Sequence, residues 1–334
     1  MDGRGAADEQ SPADGQGAAG GQGAADGISI GFVAGGDLRR AAALEALPID
    51  SLWTGGHVAS RNPSTEAMMS LARLSAVTER VRLGTSVLLL PLYPPAVVAK
   101  QVADLDRATG GRLVLGVGVG GEYPQEFRAC QVPLGERGRR TDEAIPLLRR
   151  LWTAEEITHE GAFYPMREVK VHPAPEQPGG PPIVVAGRKE PAMRRAALLG
   201  DGWIPYLYSP RRYADSVRTI RRIAGEAGRD LGGFEWYAFV FVNVDDDGRR
   251  AREQAARTMG GNYDQDFGPM VDRVAAAGTP EEVALRLREF VDAGARHFVF
   301  MPAPGTGDAD TVVHRLMDEV VPAVREYGPT GHGT

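Results

Sequence analysis

The pattern of apolar and polar positions changes character at Ile28. Before it, "GRGAAD", "GQGAAG" and "GQGAAD" recur, with no aliphatic side chain beyond Met1 and alanine. Such a segment buries too little apolar area to offset its ordering entropy, so residues 1–26 are expected to be a disordered Gly/Ala-rich tail. From Ile28 onward, short apolar runs alternate with amphipathic stretches. The strand candidates are "ISIGFVA" (28–34), "IDSLWTG" (49–55), "VRLGTSVLL" (81–89), "RLVLGVGVG" (112–120), "PIVVAG" (182–187), "GWIPYL" (202–207), "WYAFVFVNV" (236–244) and "HFVFMP" (297–302). Between them, apolar positions recur at three- and four-residue spacing, which predicts helices near 37–47, 64–79, 94–109, 137–152, 189–200, 210–227, 279–294 and 309–326. In the fourth, Ala144, Leu147, Leu148 and Leu151 make one stripe. Eight strand–helix units rich in Val, Ile and Leu predict an α/β protein with a parallel sheet, and the count suits a (β/α)8 barrel over residues 27–328. Residues 329–334 are expected to be a flexible C-terminus.

Two segments exceed what such a barrel needs. Residues 153–181 are too long for a tight connection and predict a short hairpin. Residues 245–278 read as helices interrupted at "GGNYDQDF". Both insertions, after the fourth helix and after the seventh strand, could shape a substrate entrance.

The stretch "GRLVLGVGVGGEYPQEF" contains a G-x-G-x-x-G at Gly116, Gly118 and Gly121. Read as a strand with its two-residue period, Leu113, Leu115, Val117 and Val119 share one face, and Val114, Gly116, Gly118 and Gly120 the other. Barrel interiors are normally filled by branched side chains, so these glycines empty part of that volume, as a flat ligand lying on bare backbone would require. A Rossmann fingerprint is the alternative. It wants an early strand–helix–strand unit and an acidic residue about 20 positions on, at the end of the next strand. Here three strand candidates come first, and Asp142 and Glu143 fall inside a helical stretch.

If the fold is a barrel, its chemistry collects at the C-terminal strand ends. The second strand ends in "TGGHVASRNP", which places His57 where strand becomes loop, able to relay a proton near neutral pH. No histidine pair stands at metal-ligand spacing, so no metal site is expected. The third strand brings Thr85, Ser86 and Val87 to the same mouth. The fifth ends in "AGRKEP": Gly187 permits a tight turn, Pro191 suits a first helical turn, and free N–H groups with Arg188 and Lys189 would hold an anion. Trp53, Tyr123, Trp203 and Tyr206 are candidates for the substrate side. Phe241, Tyr263 and Phe267 suggest an apolar guest, although core packing explains them equally well.

Composition narrows the classes. The chain has 334 residues, 43% of them hydrophobic, with net charge −6 and no basic run interleaved with aromatics. That argues against a nucleic-acid partner. No apolar run approaches the roughly 20 residues of a membrane span, and the N-terminus lacks a secretory layout. The single cysteine, Cys130, fits a reducing cytoplasm.

Taken together, "IDSLWTGGHV", "RVRLGTSVLLLPLYPP", "LDRATGGRLVLGVGVG", "VPLGERGRRTDEAIPLLRRLW" and "PPIVVAGRKEPAMRRAALLGDGW" resemble the luciferase-like monooxygenase family over roughly residues 28–325. The resemblance implies a (β/α)8 barrel that binds FMN or the deazaflavin coenzyme F420 at its C-terminal mouth. It places His57 where a catalytic histidine often stands, and Ser86–Val87 where members carry a non-prolyl cis peptide behind the isoalloxazine ring. Gly118, Val119 and Gly120 would lie along that ring, and Ala186, Gly187 and Arg188 at the phosphate end. There are departures. Gly56 stands where an acidic residue often precedes the histidine. Gly121 takes the place of a glutamate used by sugar-phosphate dehydrogenases of the family, with Glu122 one position later as the candidate proton donor. "PYLYSP" offers no lysine for a sugar phosphate. The implied activity is hydride transfer between F420 and a small organic substrate, or FMN-dependent oxygenation with a separate flavin reductase. A homodimer is expected on the same ground.

Overall fold

The computed structural model describes residues 27–327. The tail expected over 1–26 and the terminus at 329–334 lie outside the described residues. Among the described residues, twelve strands form: β1 (Ser29–Val33), β2 (Ser51–Thr54), β3 (Arg82–Thr85), β4 (Leu88–Leu89), β5 (Leu113–Gly118), β6 (Ile157–His159), β7 (Met166–Val169), β8 (Ile183–Ala186), β9 (Gly202–Ile204), β10 (Glu235–Val244), β11 (Ala275–Gly278) and β12 (His297–Pro302). Eight of them close a parallel barrel in the order β1–β2–β3–β5–β8–β9–β10–β12, with β12 returning to β1. Helices follow the strands and cover the outside, as right-handed strand–helix–strand connections require. Among the described residues, no helix is long and apolar enough to cross a membrane.

The two-residue period sorts the side chains of β5 as expected. Leu113, Leu115 and Val117 enter the large outer core against the helices, whereas Val114 joins Trp53, Val184, Ile204, Tyr237 and Val299 inside the barrel. The floor of the barrel, at the strand starts, is polar. Arg82 pairs with Glu235 at 2.9 Å, the Tyr237 hydroxyl donates to Glu235 at 2.6 Å, and the His297 ring stacks on Tyr237 at 4.6 Å. Burial alone would raise the Glu235 carboxyl, but Arg82, His297 and the hydrogen bonds from Tyr237 and Arg82 outweigh it and hold the group below its usual range. Burial lowers the imidazole of His297, with Glu235 opposing.

The insertion at 153–181 carries the expected hairpin, β6 against β7 antiparallel. The segment 245–278 departs from the all-helical reading. Helices at Gly248–Tyr263 and Val271–Val274 are followed by β11, which pairs with the upper part of β10 from Phe241 to Val244. "AAAG" carries no branched or aromatic strand signal, and it is the overlength β10 that offers it a free edge. The last helical segment, 309–325, widens to a π-type turn at Leu316–Val320 just before Pro322.

Candidate functional site at the barrel mouth

The backbone of the third strand leaves the sheet after Thr85. It passes through a cis Ser86–Val87 peptide and rejoins β5 as β4. The bulge is pinned at both ends: the Ser86 N–H donates to the Thr54 carbonyl at 2.7 Å, and the Thr85 hydroxyl donates to the Gly116 carbonyl at 2.7 Å. Its neighbours are bare for a steric reason. A Cβ on Gly116 would stand 1.8 Å from the Thr85 oxygen, and one on Gly55 would stand 2.6 Å from the Ser86 oxygen. Gly118 faces the Val87 side chain in the same way. The expectation that the glycines of β5 lie directly against a ligand is therefore corrected. Gly116 and Gly118 admit the bulge, and Val87 is the surface that the bulge presents to the mouth.

Val87 is one wall of a cavity of about 610 Å³ that also takes in Val119, Gly120, Gly121, Ala186, Gly187 and the start of the helix Glu190–Leu199. Gly187 has φ +142°, and a Cβ there would meet that of Ala192 at 2.4 Å, so the chain can turn this tightly into the helix only without a side chain. The helix start has no side-chain cap; Pro191 carries no N–H, and those of Ala192 and Met193 donate to the Lys189 carbonyl at 2.9 and 3.1 Å, which leaves the Glu190 N–H as the donor with no helical partner. Four cations gather there: Arg137, Arg188, Lys189 and Arg195. Arg195 is held by Asp142 at 2.7 Å and by the Gly138 carbonyl at 3.2 Å, while the Arg137 Nε is buried without a hydrogen-bond partner. Bare backbone, a flat aliphatic wall and an under-satisfied cationic end fit a planar ring system carrying a phosphate. An FMN or deazaflavin coenzyme meets that description.

A second cavity, of about 890 Å³, lies alongside, between the loops after β2, β5, β9 and β10. The loop after β2 is tied across it: Arg61 pairs with Asp264, and the Asn62 amide donates to the Gly261 carbonyl at 3.2 Å. On the same loop His57 meets the carboxylate of Glu126, Nδ1 lying 3.3 and 3.4 Å from its two oxygens. The Val58 N–H also donates to Glu126 at 3.3 Å. Glu126 is wholly buried in the short helix Pro124–Ala129, and the His57 ring stands edge-on to Tyr123 at 4.8 Å. Across the mouth, the Tyr206 hydroxyl donates to Glu122 at 2.6 Å. Burial first, and then the Glu122 carboxylate, push the Tyr206 phenol up to about 12.

Comparison with known proteins now adds to this geometry. The model of a family described as luciferase-like monooxygenase matches residues 15–297. The chain belongs to the luciferase-like monooxygenase family.

Within that family, an F420-dependent glucose-6-phosphate dehydrogenase of Kineococcus radiotolerans is 31% identical over 314 residues, covering 85% of this chain and 91% of that one. An uncharacterised protein of Mycobacterium tuberculosis is 39% identical over 167 residues, covering 50% of this chain and 57% of the relative, so that match spans little more than half the relative's length. The fold is shared with a solved F420-dependent secondary alcohol dehydrogenase in complex with an F420-acetone adduct, at TM-score 0.80 and 22% identity over 90% of this chain and 99% of that one.

For this luciferase-like chain, the structure gathers only part of the expected site. Val87, Val119, Gly120, Ala186, Gly187, Arg188, Glu122, Tyr123 and Tyr206 line one or both cavities. Thr85, Ser86 and Gly118 lie behind Val87, in the bulge and its seat. His57 stands beside the larger cavity through Tyr123 and is not part of its wall. Two expected substrate contacts are corrected. Trp53 is fully buried inside the barrel, with its indole N–H on Ser51 at 2.8 Å. Trp203 is fully buried under the helices and donates to the Gly187 carbonyl at 2.9 Å, so it braces the turn and does not touch a guest. Phe241 and Phe267 pack in a core cluster, leaving Tyr263 alone of the three on the cavity wall. Glu126 was missed, because its partner is 69 residues away and nothing local marks it.

Proposed function

We propose that this chain is an F420-dependent oxidoreductase that passes a hydride between the deazaflavin coenzyme and a small organic substrate. The observation that carries the reading is the smaller cavity, with Val87 on one wall and a cationic helix start at its end. The relatives named as F420-dependent enzymes support the same choice. Val87 would back the ring, and Gly187, Arg188, Lys189, Arg137 and Arg195 would hold the phosphate. When bound, the coenzyme supplies a ring carbon able to accept or donate a hydride.

The chain's own residues supply the rest. Glu126 engages Nδ1 of His57, which leaves Nε2 for the proton of a substrate hydroxyl; because His57 stands behind Tyr123, that ring must move aside for the two to meet. The larger cavity holds the substrate. Its wall carries Arg188, Arg212 and Arg273, none paired with a carboxylate among the described residues. That wall favours a polar or anionic guest over the apolar one suggested by the aromatic residues. It also supplies the cations that "PYLYSP" lacks. FMN is the second reading, because the same cationic end suits its phosphate and the family includes monooxygenases.

Titrating the purified protein with F420 and with FMN, followed by coenzyme fluorescence, tests the choice. Saturable micromolar or tighter F420 binding is expected. Tight FMN binding without F420 binding would move the assignment to the second reading.

A further inference from the structure

Glu122, Arg188 and Tyr206 line both cavities, and so stand where the two meet. They are joined to one another. The Tyr206 hydroxyl donates to Glu122 at 2.6 Å, and the Arg188 guanidinium lies over the Tyr206 ring at 4.5 Å. From the insertion after the seventh barrel strand, Tyr263 stacks on the same ring at 6.1 Å and 17°. Two loops and the end of the helix Gly248–Tyr263 thus hold one phenol in place between the two chambers. Glu122 is an exposed side chain, whereas Tyr206 is half-buried. Breaking their bond returns the carboxylate to water but leaves the phenol in need of an acceptor.

We propose that Tyr206, latched by Glu122, is the partition between coenzyme and substrate chambers, and that a substrate oxygen opens it by replacing Glu122 as the acceptor. This deepens the reading above and rests on the smaller cavity being the coenzyme site. Tyr206 is then a specificity-determining residue. A guest with an acceptor oxygen at its reacting carbon exchanges one hydrogen bond for another. A hydrocarbon of the same shape strands the phenol, a loss of about tenfold to a hundredfold in affinity. The raised phenol keeps its proton throughout the neutral range, so it remains a donor.

The test uses the holoenzyme reconstituted with whichever coenzyme binds. Tyr206→Phe keeps the ring on which Arg188 and Tyr263 pack and removes the latch. The coenzyme should still bind saturably, while quenching of its fluorescence by acrylamide rises severalfold. Glu122→Gln retains an acceptor oxygen and should stay at the wild-type value. Cyclohexanone should shift the absorption band of the wild-type holoenzyme and methylenecyclohexane should not; in Tyr206→Phe the two probes should act alike. Unchanged quenching in Tyr206→Phe would overturn the partition alone. Equal responses to the two probes in the wild type, or none to either, would overturn the oxygen trigger. A wild-type protein that binds neither coenzyme would overturn the cavity assignment and this proposal with it.

Discussion

The Thr85 carbonyl oxygen occupies the space that a side chain at Gly116 would need, 1.8 Å from where a Cβ would stand, while the Thr85 hydroxyl donates to the Gly116 carbonyl at 2.7 Å. One residue thus both requires the glycine opposite it and is anchored by it. The relationship places Val87 at the mouth, and with it one wall of the smaller cavity.

Gly116→Ala should therefore act on stability and coenzyme binding together. The added methyl meets backbone, which cannot rotate away, so a cost of about 1–3 kcal/mol is expected, with weaker coenzyme affinity as Val87 shifts. Gly118→Ala meets only a methyl of Val87, at 2.7 Å, and should be milder on both counts. Thermal melts and coenzyme titrations of the two variants check the ordering.

The pair His57–Glu126 makes a kinetic prediction. His57→Ala should lower turnover by about 10²–10⁴ with little change in coenzyme affinity, as loss of a positioned acid–base group does. Glu126→Gln should lose less, because the amide keeps one acceptor for the Val58 N–H and for Nδ1. Full turnover by His57→Ala would remove the imidazole from the reaction and leave Glu122 as the remaining candidate for proton transfer.

The cationic end of the smaller cavity should show in salt dependence. Arg137, Arg188, Lys189 and Arg195 face it, so affinity for a phosphate-bearing coenzyme should fall as ionic strength rises. A ring analogue without the phosphate should bind more weakly and respond little to salt. Parallel slopes for the two ligands would place the phosphate elsewhere.

The floor of the barrel predicts an acid-side loss of stability. His297 is held below its ordinary value near 6.5, so it folds neutral; its stabilisation is complete above that value and is lost as the pH falls below it. Glu235 is also depressed, so its stabilisation is present above the ordinary carboxylate range and disappears further into acid. Melting temperature should decline from neutral pH toward pH about 5 and more steeply beyond. His297→Asn should flatten the first part of that slope.

Some of this could be read along the chain. Seven of the eight barrel strands lie within the apolar runs and β10 begins one residue before its own, at Glu235; the inward face of β5 follows from its two-residue period. His57, Gly187 and Arg188 were marked by their places at strand ends. The segment "AAAG" and the helix around Glu126 were not, since one gives no strand signal and the other is a single short helix after a glycine run. Trp53 was placed at the substrate because a strand pattern does not say how deep along the barrel axis a residue lies, and Trp203 because the three residues of β9 give too little alternation to tell the inward face from the outward one.

The order of side chains along this chain determined the barrel, because the strand and helix periods are local properties that every turn of the chain repeats. Closure of the barrel alone decided that Glu126 meets His57, that Glu122 meets Tyr206 across 84 residues, and that Thr85 fills the space beside Gly116. Those contacts depend on how strands twist and stagger around a ring, a geometry that no short stretch of sequence contains.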